Sequence, residues 1–342
     1  MTTAADISVR WTTAVDDAPV AVATAPAGGL VAIAGAAGTA WILETATGTP
    51  VGTVSLPGGL LALEFSPEGA HLAFTGPTGH GLWRRCDGRT LTFATGAWSN
   101  AVRWTSPERV AVASGRRALV LDPDGTEQWA TDPAPSTVTD LAWLRGGRRL
   151  VSSAYGGVRC HERHTDKPVT EYKYLGSHLA IALNPNGRWI CTGNQDASIH
   201  IWHTRDGDDL TMHGYPDKIA RLAFDDTGRW LASDGAPDIT VWDFSGKGPA
   251  GTKPRTLRAH ETVTALAWRP GGGAVLASAG AEGTLALWRA DSGRPGALVR
   301  PAHARELPEP VTALAWAGPD LLVFADYEGQ VEAWQVPAAL AR

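Results

Sequence analysis

Cysteine is scarce in this 342-residue chain. Its three copies, Cys86, Cys160 and Cys191, are odd in number and form no CxxC. That speaks against a disulfide framework and for a reducing cytoplasm. The opening MTTAADISVRW lacks the basic head and continuous apolar segment of a signal peptide. No apolar run approaches the roughly 20 residues that span a bilayer. A net charge of −5, with no basic residues clustered along one strand, removes nucleic acid and anionic membranes from the expected partners. GxSxG, GxGxxG and P-loop motifs are all missing. Lysine is also sparse beside arginine while alanine is abundant, a composition that hints at a GC-rich bacterial genome.

What is present is a repeat. The stretch 259–289 opens with His260 and runs into VTALAW, where apolar residues alternate with small or polar ones. A Pro-Gly turn at 270–273, a second apolar run AVLASAG, a turn at Glu282-Gly283 and a third run TLALW ending in Trp288 follow. Period-2 patterning with turn residues at each joint predicts antiparallel strands. A sheet with two apolar faces needs neighbours on both sides. Copies start near Pro19, Leu60, Ser99, Val138, His178, Ile219, Val263 and Val311. They recur about every 40 residues or slightly more, the spacing of four-stranded propeller blades. Fifteen tryptophans, most of them at the same two points of the repeat, suit packing between sheets.

The third run ends in an apolar or aromatic residue and a polar one: Trp83-Arg84, Trp202-His203, Trp242-Asp243, Trp288-Arg289 and Trp334-Gln335. With the histidine before the first strand and the FSPEG-type turn, these endings resemble the WD-repeat family of β-propellers over nearly the whole chain. The resemblance implies a hydrogen-bonded set in each blade. The seventh copy matches it with His260, Ser278, Glu282 and Trp288. The fifth keeps Thr192, Asp196 and Trp202, with Tyr174 where histidine is expected. The eighth keeps His303, Glu328 and Trp334. The first, third and fourth have lost most of the set.

The expectation is an all-β fold, a β-propeller of eight four-stranded blades, with seven as the alternative. Residues 1–342 form one domain, and the lone strand 7–15 completes the last blade beside Val331–Val336, leaving no open edge.

Ten histidines raise the question of metal or acid–base chemistry. His200 and His203, three apart on one strand, point to opposite faces and cannot chelate together. His161 takes a tryptophan position, as a packed or capping side chain would. No catalytic residue, metal site or cofactor is expected. The family resemblance implies instead a protein-interaction platform, monomeric by itself, that binds another protein or peptide. Its contact face lies where the first strand begins and where the second turns into the third. Trp98, Asn100, Tyr155, Gln195, Lys218 and Tyr327 occupy such positions, and the three large aromatics are candidate anchors. The competing class is an enzyme or small-molecule binder, with ionisable side chains converging from three or more blades at one end of the channel.

Overall fold

The computed structural model describes residues 7–144, 146–235 and 237–338. Most described strands are short, and they pair antiparallel within each repeat, as the period-2 pattern requires. Second strands such as Leu30–Gly35 and Val275–Gly280 are buried along their whole length. They lie between neighbouring sheets and have no solvent face, so their sequence reads as a continuous apolar run rather than a strict alternation. The core is correspondingly divided into clusters between sheets. One of these packs Leu285 and Leu287 against Leu314, Phe324 and Trp334 of the next repeat.

The inner strands follow one another around the ring. They are Pro19–Thr24, Ala62–Phe65, Val102–Ser106, Asp140–Leu144, the C-terminal half of Thr170–Leu183, Leu222–Phe224, Val263–Trp268 and Val311–Trp316. Each contacts the next, and the last contacts the first. The N-terminal strand Ser8–Ala14 completes the final sheet by pairing antiparallel with Gln330–Gln335. Its register runs from Ser8 opposite Gln335 to Ala14 opposite Gln330, with a bulge between Val9 and Trp11. The chain then turns inward, and the Val15 amide donates to the Gly329 carbonyl at 2.8 Å. Gly329 has φ +88°, and a Cβ there would stand 2.2 Å from the Val15 oxygen. The closing contact therefore requires glycine at that turn.

The blade count needs correction. Eight separate four-stranded blades are not formed: the strands gather into seven hydrogen-bonded sheets. The fourth and fifth repeats share one six-stranded sheet. Thr170–Leu183 runs without a break from the outer edge of one repeat, paired with Arg149–Glu162, into the inner strand of the next, paired with Trp189–Asn194. No proline interrupts it, and register shifts at Tyr155/Gly157 and His178/Ala180 absorb the change of partner. Counted by sheets, the protein is an all-β seven-bladed propeller closed by its N-terminal strand. Eight sequence repeats thus supply seven blades.

One further departure lies in the seventh repeat. Between its third strand, Thr284–Arg289, and its outer strand, His303–Glu306, the chain detours to the neighbouring blade. There Leu298–Val299 adds parallel to the edge strand Arg255–Leu257. That detour covers an edge that would otherwise be open.

Candidate functional site

One end of the propeller is assembled by the same bond in repeat after repeat. The turn between second and third strands donates an amide to the connection that leads into the first strand. Gly115 N reaches Trp98 O at 2.8 Å, Gln195 N reaches Ser177 O at 3.0 Å, Ala281 N reaches Thr262 O at 2.9 Å, and Tyr327 N reaches Pro310 O at 2.9 Å. In the fourth repeat the Tyr155 amide donates to Ser136 Oγ at 2.9 Å. The loop backbones are thereby satisfied and fixed, which leaves their side chains to project.

Trp98 is 58% exposed, Tyr155 49% and Tyr327 57%. Gln195 and Lys218 are exposed as well. Trp98 and Tyr155 stand on adjoining repeats, whereas Tyr327 lies on the last repeat, separated from Trp98 by the first two. Asn100 has a different role from its neighbours. It is half-buried, and its Nδ2 donates to Val138 O of the next repeat at 3.0 Å. Its amide ties two inner strands together. Sequence reasoning missed Leu175, 78% exposed on the same end. Only its place beside Gly176, where the shared strand changes partners, could have signalled it.

The expected hydrogen-bonded set is complete in the seventh repeat. His260 Nδ1 lies 2.8 Å from Glu282 Oε1, and Nε2 lies 2.7 Å from Ser278 Oγ. Trp288 Nε1 donates to the same hydroxyl at 2.8 Å. Glu282 accepts the Nδ1 proton, Ser278 donates to Nε2, and Ser278 in turn accepts from the indole. Burial holds His260 below its ordinary pKa, in keeping with this neutral tautomer.

In the fifth repeat His178, not Tyr174, makes the contact with Thr192, at 2.9 Å, and its Nε2 donates to Tyr174 O at 3.0 Å. Tyr174 reaches Asp196 through its hydroxyl instead. The sixth repeat uses a tyrosine: Trp242 Nε1 donates to Tyr215 Oη at 3.0 Å, and Tyr215 pairs with Thr240 at 3.2 Å. The set expected in the eighth repeat is not made. His303 belongs to the outer strand of the preceding blade and only lies edge-on to Trp334, whose indole donates to Glu332.

The channel side of the ring is fastened between repeats. Tryptophans closing four inner strands each donate to a carbonyl of the preceding repeat: Trp104 to Glu64, Trp143 to Arg103, Trp268 to Ala223 and Trp316 to Ala267, at 2.8–3.1 Å. Three ionisable side chains from consecutive repeats also meet there. Arg103 lies 2.8 Å from Asp140 and 3.8 Å from Glu64. Their remaining valence goes to backbone. Glu64 Oε1 accepts the Trp104 amide, and Asp140 accepts those of Leu141 and Ile181. Burial, only partly offset by Arg103, pushes Glu64 up to about 7. This convergence has the form expected of a small-molecule site, yet its polar groups are largely used in joining inner strands.

The histidines enter no cluster of that kind. His161 is buried in the core, and neither ring nitrogen has a hydrogen-bond partner. His200 is buried, while His203 sits half-buried on Asp206 at 2.7 Å. Among the described residues no group of three His, Cys, Asp or Glu stands together as a metal ion needs. No helix among them is long and apolar enough to cross a membrane.

Residues 164–203 and 251–289, the fifth and seventh repeats, match the family described as WD40: WD domain, G-beta repeat. These are two of the repeats in which the rings and hydroxyls form the bonded sets above. The fold is a β-propeller, and two of its repeats are similar to WD repeats. The chain is 28% identical over 179 residues to the nuclear distribution protein nudF of Aspergillus niger, covering 46% of this chain and 39% of that protein. It is 34% identical over 124 residues to the periodic tryptophan protein 2 homolog of Schizosaccharomyces pombe, covering 35% and 14%. It is 27% identical over 228 residues to the WD repeat-containing protein slp1 of the same yeast, covering 64% and 44%. In each case the match spans less than half of the relative's length. Among solved structures, the computationally designed Ika8 protein superposes with a TM-score of 0.79 over 96% of this chain and 99% of the other, at 20% identity, a likeness of fold alone.

Proposed function

We propose that this propeller is a non-catalytic platform that binds another protein or peptide through the end carrying Trp98, Tyr155 and Tyr327. The observation that supports it is three large aromatics, each about half exposed or more, one in a connection (Trp98), one on a strand (Tyr155) and one in a turn (Tyr327), at positions whose backbone is already fixed by hydrogen bonds. A rigid surface loses little freedom on binding, and aromatic anchors supply contact area at low entropic cost. Gln195 and Lys218 contribute a polar rim. WD-repeat propellers generally bind proteins, which favours the same reading. The reading includes a protein that is monomeric by itself, in a reducing cytoplasm, with no nucleic-acid or membrane partner. Cys86, exposed, and Cys191, buried, form no disulfide, which favours that compartment.

Affinity capture from native lysate tests it. The double substitution Trp98→Ala and Tyr327→Ala should abolish capture and leave the melting temperature nearly unchanged. Unaltered capture sinks the proposal.

A second reading, a small-molecule site at the channel, draws on the meeting of Glu64, Arg103 and Asp140 from three repeats. It requires turnover or ligand binding that Arg103→Met removes and the Trp98/Tyr327 pair does not.

A further inference from the structure

The binding end is not uniform, and its chemistry narrows the partner. Beside Tyr155 a cleft of about 130 Å³ opens where Arg149–Glu162 pairs with Thr170–Leu183, lined by Pro135, Tyr155, Gly156, Arg159, Glu171 and Lys173 among others. Gly156 has φ +89°, and a Cβ there would meet nothing within 4 Å, so the cleft floor is open backbone.

The connection 131–135, which reaches the cleft at Pro135, is held by three guanidinium groups through carbonyl oxygens. Arg116 donates to Ala134 at 2.6 Å, Arg117 to Thr131 at 2.8 Å and Arg159 to Pro133 at 3.0 Å. Arginine has five N–H donors, so each keeps donors to spare. Arg159 is neutralised by Glu171 at 3.3 Å. Arg116, Arg117 and Lys173 are exposed and make no ion pair among the described residues. Two further carboxylates lie on this side, Asp132, half-buried, and Asp166, whose carbonyl accepts the Asp132 amide at 2.8 Å. A chain of net charge −5 thus gathers more cations than carboxylates at one place, beside exposed Trp98, Tyr155 and Leu175.

We infer that this rim cleft takes an extended segment of another protein in which an acidic residue adjoins an apolar one. The carboxylate pairs with Lys173 and Arg116, and the apolar side chain lies on Tyr155 or Trp98. Charge-assisted bonds to arginine and lysine set the polarity of the segment, and the aromatics set its register. The inference rests on the protein-binding reading above and adds the class of partner.

Selection of random short peptides displayed on phage tests it, with wild-type protein, Arg116→Glu/Lys173→Glu and Trp98→Ala/Tyr327→Ala as parallel baits. Wild type should enrich sequences with Asp or Glu next to an apolar residue. The charge-reversal pair should lower that enrichment roughly tenfold or more, and added salt should weaken it. Peptides without acidic preference that bind the charge-reversal pair as well as wild type, but not Trp98→Ala/Tyr327→Ala, overturn this inference while leaving the platform standing. Absence of any enrichment on wild type also overturns it, and capture of the whole partner then decides the platform separately. Circular dichroism melts of each bait establish that a lost signal reflects the site and not the fold.

Discussion

The third and seventh repeats hold together by different means. The seventh is bonded within itself: His260, Glu282, Ser278 and Trp288 join its entry loop, its turn and its second and third strands. The third has no such set, and its buried Trp129 indole nitrogen finds no partner. It is bonded to its neighbours instead, through Trp104 and Arg103 on one side and Asn100, Arg103 and the Trp143 indole on the other. A repeat can therefore lack the polar set that the seventh carries and keep its place, provided that its inner strand is tied across to the next. Such ties cost no exposed surface, and the end of the third repeat is left free to carry Trp98.

The strongest way to break both kinds of repeat is to open the ring. Removing residues through Ala14 strips the partner from Gln330–Gln335 and exposes an edge strand. Loss of a single cooperative melt and concentration-dependent aggregation are expected in calorimetry and light scattering. A truncated chain that melts like the full one and stays monomeric would show that closure is not needed.

Within the ring, Trp288→Ala should cost roughly 3–5 kcal/mol by urea unfolding, because a fully buried indole leaves a cavity and an unanswered Ser278. Arg103→Met attacks the inter-repeat ties. It should cost less, about 1–2 kcal/mol, since the guanidinium is more than a third exposed and solvent screens part of what is lost. An Arg103→Met penalty as large as that of Trp288→Ala would mean that the two devices carry equal weight.

Acid should find the buried imidazoles. Burial holds His80 and His161 down at about 4, against an ordinary 6.5. Between those values the unfolded chain binds protons that the folded chain refuses. Their contribution is complete above 6.5 and is lost as pH falls toward 4. Glu64, raised to about 7 from 4.5, works in the other direction: its contribution is present below 4.5 and lost as pH rises through 7. Burial holds His178, His200 and His260 below 6.5 as well, so the imidazoles outnumber the raised carboxyls of Glu64 and Asp234. The urea midpoint should fall on acidification from 6.5 to 4, and His80→Phe should flatten the slope. A midpoint that rises over that interval would assign the larger share to Glu64.

The smallest effect belongs to the exposed end. Trp98→Ala should change stability by less than about 0.5 kcal/mol, as surface substitutions do.

Much of the fold is legible because its signals are local. Alternation gives the strands, glycine turns give the joints, and a lone N-terminal strand opposite a three-stranded last copy gives the closure. The blade count is not local. Whether Tyr172 to Ser177 turns or runs straight depends on the partners of each half, and only the assembled sheet shows one strand serving two repeats. The bonded sets were readable where spacing was kept, as at His260. The set was misread in the fifth repeat, where His178 supplies the contact to Thr192, and the Tyr215 bond to Trp242 in the sixth was not foreseen. The exposed aromatics followed from loop position. Asn100 shared that position, but its amide had a carbonyl within reach on the next repeat, which no linear spacing reveals. The meeting of Glu64, Arg103 and Asp140 was hidden for the same reason: each is the single charge on its own inner strand.

Hydrogen–deuterium exchange of the propeller, free and bound to its captured partner, tests the central claim most directly. The account predicts new protection in the turns and connections around Trp98, Tyr155 and Tyr327, with the opposite end and the channel strands unchanged. Protection confined to the inner strands at Glu64, Arg103 and Asp140, or to the opposite end, would contradict it.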